Sequence, residues 1–316
     1  MGMLQDGAWT SDTPVAPTDA RGNFQRADSG FRDWLTSDGS AGPDGQAGYR
    51  AEADRYHLYV SLACPWAHRT LVVRALKGLE ALLPVTVVGP LMGEQGWSFA
   101  QAFGGSGDPV NGADHLHQLY AKAKPGMTGK VTVPVLWDKR EGRIVNNESS
   151  EIIRMLNTAF DALGAKPGDF YPAELRGEID AVNDRVYGAV NNGVYRAGFA
   201  TTQAAYDEAV GELFATLDWL EQRLTGDWLV GERLTEADIR LFTTLVRFDP
   251  VYHGHFKCNV RRLLDYPRLR GLAERIAALP GVADTIDLDQ IKAHYYRSHR
   301  QINPTGIVPA GPAVPF

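Results

Sequence analysis

Short apolar runs and helix-like spacings alternate between residues 55 and 160 of the chain. Runs rich in branched and aromatic residues predict strands, and apolar residues three and four positions apart predict helices. The predicted order is strand 56–61, helix 66–77, strand 85–88, strand 133–138, strand 143–146 and helix 149–160. Strands that alternate with helices in this way indicate an α/β domain, which we place at residues 51–165.

The second half of the chain has a different pattern. From residue 172 to residue 293 the apolar spacing is helical throughout. One series with the period of a helix face is Ala209, Leu213, Leu217, Leu220 and Leu224. We therefore predict an all-helical domain over residues 166–297.

Three segments show neither pattern. Residues 1–50 are rich in Gly, Asp, Ser and Pro, and they predict an irregular extension that lies over a domain and is not itself a domain. Residues 298–316 are rich in Pro and Gly and predict an extended tail. Residues 89–130 form a long Gly-rich insertion, and a structureless loop of that length is usually functional or disordered.

Composition and charge narrow the class of protein. A chain of 316 residues with 44% hydrophobic and 22% charged residues is typical of a globular protein with two domains. The formal net charge of -6 argues against nucleic acid as a partner. Two cysteines in unlike settings argue against a disulfide framework and favour a reducing compartment. The chain shows no signal-peptide pattern and no apolar stretch of membrane-spanning length, so we expect a cytoplasmic protein with no membrane partner.

Cys64 lies where the first predicted strand meets the first predicted helix. Pro65 suits the first helical position, which needs no N–H donor. A helix start favours an anion, so we expect the pKa of the Cys64 thiol to be lowered and its thiolate to be a nucleophile. Position 67 is alanine, so Cys64 has no Cys-x-x-Cys partner, and its disulfides need a thiol from elsewhere. The alternative is a small buried hydrophobic cysteine, the interpretation that we favour for Cys258.

Two further motifs lie at element boundaries of the same domain. The Val133-Pro134 pair opens a strand, where a cis bond would turn the backbone N–H and C=O of Val133 toward a ligand. A trans proline at a strand edge is the alternative. Glu148 and Ser149 lead into a helix whose free N–H groups can bind a carboxylate. Here the alternative is a plain helix N-cap without a ligand.

Other conspicuous residues are better explained by structure. Thr235 and Asp238 have the spacing of a helix-capping arrangement, so Asp238 is predicted to be structural. Two His-x-His pairs, at 115–117 and 253–255, lack further ligands at metal-binding spacing. We therefore predict no metal site.

The order of elements resembles the glutathione transferase superfamily, in which an N-terminal thioredoxin-like domain is followed by an all-helical C-terminal domain. Within it the chain resembles the Xi class, the glutathionyl-hydroquinone reductases. The motifs that carry the resemblance are CPWA at 64–67, GW at 96–97, TVPVLWD at 132–138, NNESS at 146–150 and YYxSHxxINP at 295–304. The resemblance covers nearly the whole chain, including the long insertion and the tail, which other cysteine-type transferases lack.

The resemblance implies roles for individual residues. Cys64 would be the nucleophile, and Val133 would pair its backbone with the cysteinyl part of glutathione, as an added strand does. The remaining implied contacts are Glu148 and Ser149 with the γ-glutamyl end, Trp97 with glutathione, Lys130 with a carboxylate, and Tyr195 and Tyr296 with the region near the sulfur. Lys130 stands where the family usually has arginine, and it offers a point charge instead of a two-pronged donor. For each tyrosine the alternative is a half-buried core residue with a satisfied hydroxyl.

The reaction implied by the resemblance is reduction of glutathionyl-hydroquinones, with glutathione as co-substrate. Cys64 would form a mixed disulfide with glutathione, Tyr195 and Tyr296 would hydrogen-bond the ring oxygens, and a second glutathione would resolve the disulfide. The resemblance also implies a homodimer. Two alternatives stay open. One is a general thiol-disulfide oxidoreductase or dehydroascorbate reductase of the Omega type, and the other is a non-catalytic binding protein with this fold.

Overall fold

The computed structural model describes residues 2–11 and 16–316. The strands in this part of the chain are β1 (Met3–Gln5), β2 (Ala8–Thr10), β3 (Trp34–Thr36), β4 (Gly48–Arg50), β5 (Tyr56–Val60), β6 (Val85–Val87), β7 (Met92–Gly93), β8 (Gly96–Trp97), β9 (Val135–Asp138) and β10 (Arg143–Asn146). The α-helices are α1 (Pro65–Leu76), α2 (Leu116–Ala123), α3 (Ser149–Thr158), α4 (Arg176–Val186), α5 (Gly193–Phe199), α6 (Gln203–Arg223), α7 (Glu236–Leu245), α8 (Pro267–Ala277) and α9 (Leu288–Ser298). The predicted order of an α/β domain followed by a helical domain is confirmed.

A four-stranded sheet in the order β10-β9-β5-β6 forms the centre of the first domain. Strand β5 runs parallel to β6 and antiparallel to β9, and β9 pairs antiparallel with β10. Every residue of β5 is buried, as expected for a central strand that is covered on both faces. Helix α1 packs against α3, and α2 packs on β10. The end of this fully buried strand leads into the start of α1, which places Cys64 on a rigid part of the fold.

The insertion at 89–130 contains more structure than the sequence indicated. It holds the strand pair β7 and β8 and the eight-residue helix α2. Leu116, Leu119 and Tyr120 form the buried face of α2, at the spacing of three and four residues that helices require. The expectation of a long structureless loop is wrong because two helical turns among many glycines give too short a period to stand out.

The N-terminal extension is attached to the first domain by backbone pairing. Strands β1 and β2 form an antiparallel pair, Leu4 bridges to Gly129, and β3 runs parallel to β4. Farther along, the N–H of Phe31 donates to the Asn147 side chain at 3.1 Å. These contacts bring the middle of the extension to the start of α3.

The helical domain is built on α6 and α7. Helix α6 spans 21 residues and buries an apolar stripe along its length. At the start of α7 the N–H of Thr235 donates to the buried Asp238 carboxylate at 2.9 Å, which confirms a structural role for Asp238. Helix α7 packs against α1 and so joins the two domains. Within residues 2–11 and 16–316, no helix is long and apolar enough to cross a lipid bilayer.

Candidate active site

A cavity of about 480 Å³ lies beside the start of α1. All parts of the chain contribute to its walls: Arg26 from the N-terminal extension, Cys64 from the first helix start, Lys130 from the insertion, Tyr195 from α5 and His294 from α9. The sequence elements that carry candidate chemistry therefore converge, although they lie far apart along the chain.

Cys64 sits at the strand-to-helix turn that the sequence predicted. It is the residue directly before α1, with an extended backbone at φ -80° and ψ 122°, and Pro65 is the first helical residue. The residue is half-buried, and its thiol donates to the carbonyl of Val133 at 3.6 Å. The sulfur thus faces the cavity next to the Val-Pro motif.

Burial raises the pKa of the Cys64 thiol above its ordinary value. The N–H groups of Ala67 and Trp66 and the charges of Arg247 and Arg26 act in the opposite direction and offset only part of this effect. The predicted lowering of the pKa is therefore wrong, because the sequence indicated a helix start but not the closed walls around the sulfur.

The Val133–Pro134 bond is cis, which decides between the alternatives left by the sequence. The Val133 carbonyl accepts from the Cys64 thiol, and the Val133 N–H forms no hydrogen bond within the described residues. The preceding Thr132 is held by Tyr120, whose hydroxyl donates to the Thr132 carbonyl at 2.7 Å. The main chain beside Cys64 thus offers a donor and an acceptor to an extended ligand.

Glu148 is the N-cap of α3. Its carboxylate accepts from the N–H of Ser150 at 3.1 Å and from the hydroxyls of Ser150 and Ser29, both at 2.9 Å. Burial raises the pKa of Glu148, but these hydrogen bonds outweigh burial and leave the pKa below its ordinary value. In the described part of the chain, the Ser149 N–H has no protein acceptor, and Ser149 lines the cavity. An anionic side chain next to a free helix-start N–H suits the ammonium and the carboxylate of an amino acid.

Trp97 and Lys130 line the cavity on the side of the insertion. Trp97 is buried and stacks on the His294 ring at a centroid distance of 5.0 Å. The Nδ1 of His294 is 2.7 Å from the Pro90 carbonyl and donates to it, which fixes the orientation of the ring. Lys130 is partly buried, and burial lowers the pKa of its ammonium group. Both residues therefore line the cavity, and the contact with glutathione that the resemblance implies for them stays a prediction.

Tyr195 lies in the short helix α5, after a π-helical turn at Tyr187–Asn191. Such turns change the direction of the side chains that follow. Tyr195 is buried and lines the cavity, and its ring stacks on Trp66. Its hydroxyl lies 2.6 Å from the hydroxyl of Tyr295.

Tyr296, the predicted partner of Tyr195, points elsewhere. Its hydroxyl donates to the carbonyl of Pro250 at 3.3 Å, and its ring packs edge-on against His255. Successive residues of a helix differ by about 100° in direction, so Tyr295 and Tyr296 face different sides of α9. The prediction of a Tyr195–Tyr296 pair is wrong, and the residue beside Tyr195 is Tyr295.

Three tyrosine hydroxyls form a chain behind the cavity. The Tyr252 hydroxyl lies 3.1 Å from that of Tyr295, which in turn contacts Tyr195. Tyr195 can accept from its tyrosine neighbours and so keep its own phenolic proton to donate. Among the three, only Tyr195 lines the cavity, and burial raises its pKa so that it stays protonated. The chain therefore favours Tyr195 as a donor to a bound ligand.

Arg26 lies against the aromatic wall of the cavity. Its guanidinium lies 4.7 Å from the centroid of the Trp66 ring and 5.1 Å from that of Tyr195. The opposite contact of Trp66 is with Arg69, at 4.6 Å. The aromatic half of the cavity thus carries a cation–π cluster, and its cation comes from the N-terminal extension.

The predicted absence of a metal site concerned two His-x-His pairs. His115 and His117 stack on each other. The Nε2 atom of His255 lies 3.2 Å from the Nδ1 atom of His299. Throughout residues 2–11 and 16–316, no three His, Cys, Asp or Glu side chains are arranged to hold a metal ion.

Comparison with known proteins identifies relatives that match this chain over nearly its whole length. The glutathione S-transferase N-terminal domain matches residues 63–159, and the glutathione S-transferase C-terminal domain matches residues 203–275. The chain is 58% identical to glutathionyl-hydroquinone reductase PcpF of Sphingobium chlorophenolicum, over 100% of this chain and 98% of the relative. It is also 58% identical to glutathionyl-hydroquinone reductase YqjG of Escherichia coli, over 99% of this chain and 95% of the relative.

The chain belongs to the Xi class of the glutathione transferase superfamily, the glutathionyl-hydroquinone reductases. Solved structures agree: glutathione-bound YqjG of Escherichia coli K-12 superposes with a TM-score of 0.90 and 56% identity, over 98% of this chain and 96% of that one. The Xi transferase of Phanerochaete chrysosporium has a TM-score of 0.87 and 53% identity, over 93% and 99% of the two chains.

Sequence reasoning missed several residues of this Xi-class site. Trp66 belongs to the CPWA motif, and its position two residues after the nucleophile could have identified it from the sequence. Tyr295 lies four residues after buried Ile291, and this helical spacing could have selected Tyr295 over Tyr296. Arg26 and Arg247 carry no local signal, because only the fold brings them to Cys64.

Proposed function

We propose that the protein reduces glutathionyl-hydroquinones to hydroquinones through a mixed disulfide between Cys64 and glutathione. The observation that carries this proposal is the position of the Cys64 thiol. The cavity that it lines has polar walls, with the free N–H groups of Val133 and Ser149, and aromatic walls, with Trp66 and Tyr195, and we infer that these form a polar half and an aromatic half on either side of the sulfur. A glutathionyl-hydroquinone has the same division, with a peptide on one side of its sulfur and an aromatic ring on the other.

Glutathione would lie along the polar half. Its cysteinyl backbone would pair with Val133 as an added strand, which brings its sulfur to Cys64. Its γ-glutamyl end would lie at Glu148 and the helix start at Ser149, and its glycyl carboxylate would meet Lys130. Trp97, held by its stack on His294, would close this side.

The chemistry balances with glutathione alone as co-substrate. The Cys64 thiolate attacks the sulfur of the glutathionyl group and forms an S–S bond, while the C–S bond breaks and leaves its electron pair on the ring carbon. This departure is feasible from the ketonic form of the ring, and the carbon takes up a proton. The thiolate of a second glutathione then attacks the mixed disulfide, releases oxidised glutathione and restores Cys64.

Tyr195 would serve the step in which the ring departs. Charge that develops on a ring oxygen is stabilised by a donor already in place, and a phenol supported by two further hydroxyls is such a donor. Tyr295 and Tyr252 would act through Tyr195. Tyr296, whose hydroxyl is bound to a backbone carbonyl, would have no part in the step.

The experiment compares two substrates. Release of menadiol from glutathionyl-menadione, with reduction of hydroxyethyl disulfide as the second assay, distinguishes hydroquinone reduction from general thiol exchange. We expect turnover of both in the native chain, loss of both in Cys64→Ala, and near-native turnover in the matched Cys258→Ala control. Activity with the disulfide alone would favour the Omega-type alternative, and no activity with either would favour a binding protein.

Two further expectations are a homodimer, which rests on the family resemblance, and a cytoplasmic location, which rests on two free cysteines that suit a reducing compartment. Sedimentation equilibrium tests the first directly. A single species at twice the chain mass of 34.6 kDa would support the dimer, and a monomer at micromolar concentration would contradict it.

A further inference from the structure

Arg247 follows helix α7 and is fully buried, with 0% of its surface exposed. Its guanidinium reaches out of the helical domain to the turn before Cys64. The Nε atom donates to the Ala63 carbonyl at 2.9 Å, and Nη2 donates to the Leu62 carbonyl at 3.0 Å. These are the two residues directly before the nucleophile, so one side chain fixes the backbone that carries it.

The remaining hydrogen bonds of Arg247 go to neutral acceptors as well. Its Nη1 atom contacts Nδ1 of His68 at 3.0 Å and donates to the Thr243 carbonyl at 2.8 Å. The Thr285 hydroxyl gives its single proton to the Val282 carbonyl at 2.6 Å, so at 2.8 Å it accepts from Nε2–H of His68. His68 is therefore neutral with its lone pair on Nδ1, and it accepts from Arg247.

Arg247 is thus a buried cation without a carboxylate partner in the described part of the chain. Buried guanidinium groups are usually paired with an acid, since an isolated charge is costly away from water. Other ionisable groups also face the Cys64 sulfur: Arg26 from the N-terminal extension and Tyr195 from α5, which burial keeps neutral. Arg247 donates to the carbonyls of the two residues before Cys64, and the acidic group on that next residue is the Cys64 thiol.

We propose that Arg247 is a positioning residue for Cys64, which holds the 62–63 carbonyls and places a fixed positive charge behind the sulfur. The charge opposes part of the cost of ionising a buried thiol, as expected of a cation in a poorly screened site. Because the guanidinium comes from the helical domain, nucleophile activation depends on the packing of the two domains. The inference rests on the proposed role of Cys64, but its test requires no turnover.

The test is the pH dependence of Cys64 alkylation by iodoacetamide in the full chain, followed by peptide mass spectrometry. Arg247→Gln should raise the pKa of the thiol by about one unit or more, which means roughly tenfold less thiolate at a pH below the pKa. Arg247→Lys keeps the charge and should hold the pKa within about half a unit. The matched control is Arg74→Gln, since Arg74, at the other end of α1, also donates to two backbone carbonyls, those of Glu80 and Leu83.

A folded Arg247→Gln chain with the native pKa would overturn the proposal, and so would a rise of equal size in Arg74→Gln. Circular dichroism and the thermal transition establish folding for each variant. If the Gln chain does not fold, Arg247→Lys provides the test. A rise of one unit in the pKa of the Cys64 thiol despite the retained charge would contradict the proposal. If glutathionyl-hydroquinone turnover fails in the native chain while these shifts are observed, the proposed function is wrong and the role of Arg247 stands.

Discussion

Replacement of Tyr195 by phenylalanine isolates the hydroxyl that we assign to the departing ring. The change removes one oxygen from a residue that lines the cavity and leaves its stack on Trp66 in place. Attack on an aryl thioether expels carbon and needs charge stabilisation at a ring oxygen, whereas attack on a disulfide expels a thiolate that needs no such donor. The two reactions should therefore respond differently.

The size of the effect follows from the arrangement of the three hydroxyls. Loss of a donor to a developing oxyanion costs about 3 kcal/mol, so kcat for glutathionyl-menadione should fall roughly 100- to 1,000-fold in Tyr195→Phe. Tyr295 acts only by polarising Tyr195 across their 2.6 Å contact. Such cooperative strengthening is about 10–30% of a bond, so Tyr295→Phe should cost roughly two- to fivefold.

Steady-state kinetics with glutathionyl-menadione and with hydroxyethyl disulfide measure both effects. Tyr296→Phe is the matched control, since it removes a hydroxyl from the next position of the same helix, and both activities should stay within about twofold of the native values. The role assigned to Tyr195 is refuted if Tyr195→Phe lowers both activities in parallel. It is also refuted if Tyr296→Phe impairs hydroquinone release as much as Tyr195→Phe does.

Three further predictions concern stability and glutathione binding. Asp238→Ala leaves the buried N–H groups of Leu229 and Thr235 without their acceptor and should lower the free energy of unfolding by about 3 kcal/mol in urea titrations. Glu148→Ala should weaken glutathione binding by about 1–3 kcal/mol in calorimetry, and it should lower the free energy of unfolding by about 1 kcal/mol through loss of the α3 N-cap. Burial lowers the pKa of His57, His255 and His294 to about 4, so their contribution to stability is complete above about pH 6.5 and is lost as the pH falls from there toward 4.

Each of these predictions has a result that contradicts it. For Asp238, unchanged unfolding would remove the capping role, and Thr235→Ser, which keeps the hydroxyl, is the matched control. For Glu148, a native affinity for glutathione per folded molecule of Glu148→Ala would leave this residue only its structural role as the N-cap of α3. For the histidines, an unfolding free energy that stays level from pH 7 to pH 5 would refute the assignment. Burial raises the pKa of Asp238 to about 6, so its own contribution runs the other way, falling as the pH rises from about 4 to 6.

The parts of the site that the sequence predicted well are those encoded by local pattern. The position of Cys64 follows from a strand, a proline and a helical period that adjoin one another, and the Glu148 helix start follows from a similar boundary. Helix α2 was not predicted because its two turns give too short a helical period. Arg26 and Arg247 were not predicted because their contacts with Cys64 depend on tertiary packing alone.

The two wrong predictions at the site have a common origin. The helix start at Cys64 suggested a lowered pKa, but burial by surrounding walls is a three-dimensional property and outweighs the helix start. The choice of Tyr296 followed motif resemblance, whereas the direction of a helical side chain depends on the rotation of α9 against its neighbours. Ile291 and Tyr295 are buried on one face, which turns Tyr296 toward Pro250.

A single-turnover measurement shows whether Cys64 takes the glutathionyl group from the substrate. The native chain is mixed with one equivalent of glutathionyl-menadione in the absence of free glutathione, and intact and peptide masses are recorded as menadiol is released. We predict one menadiol per chain and one glutathionyl group on Cys64, with neither product in Cys64→Ser. Menadiol release without an adduct on Cys64, or an adduct on the buried Cys258, would contradict it.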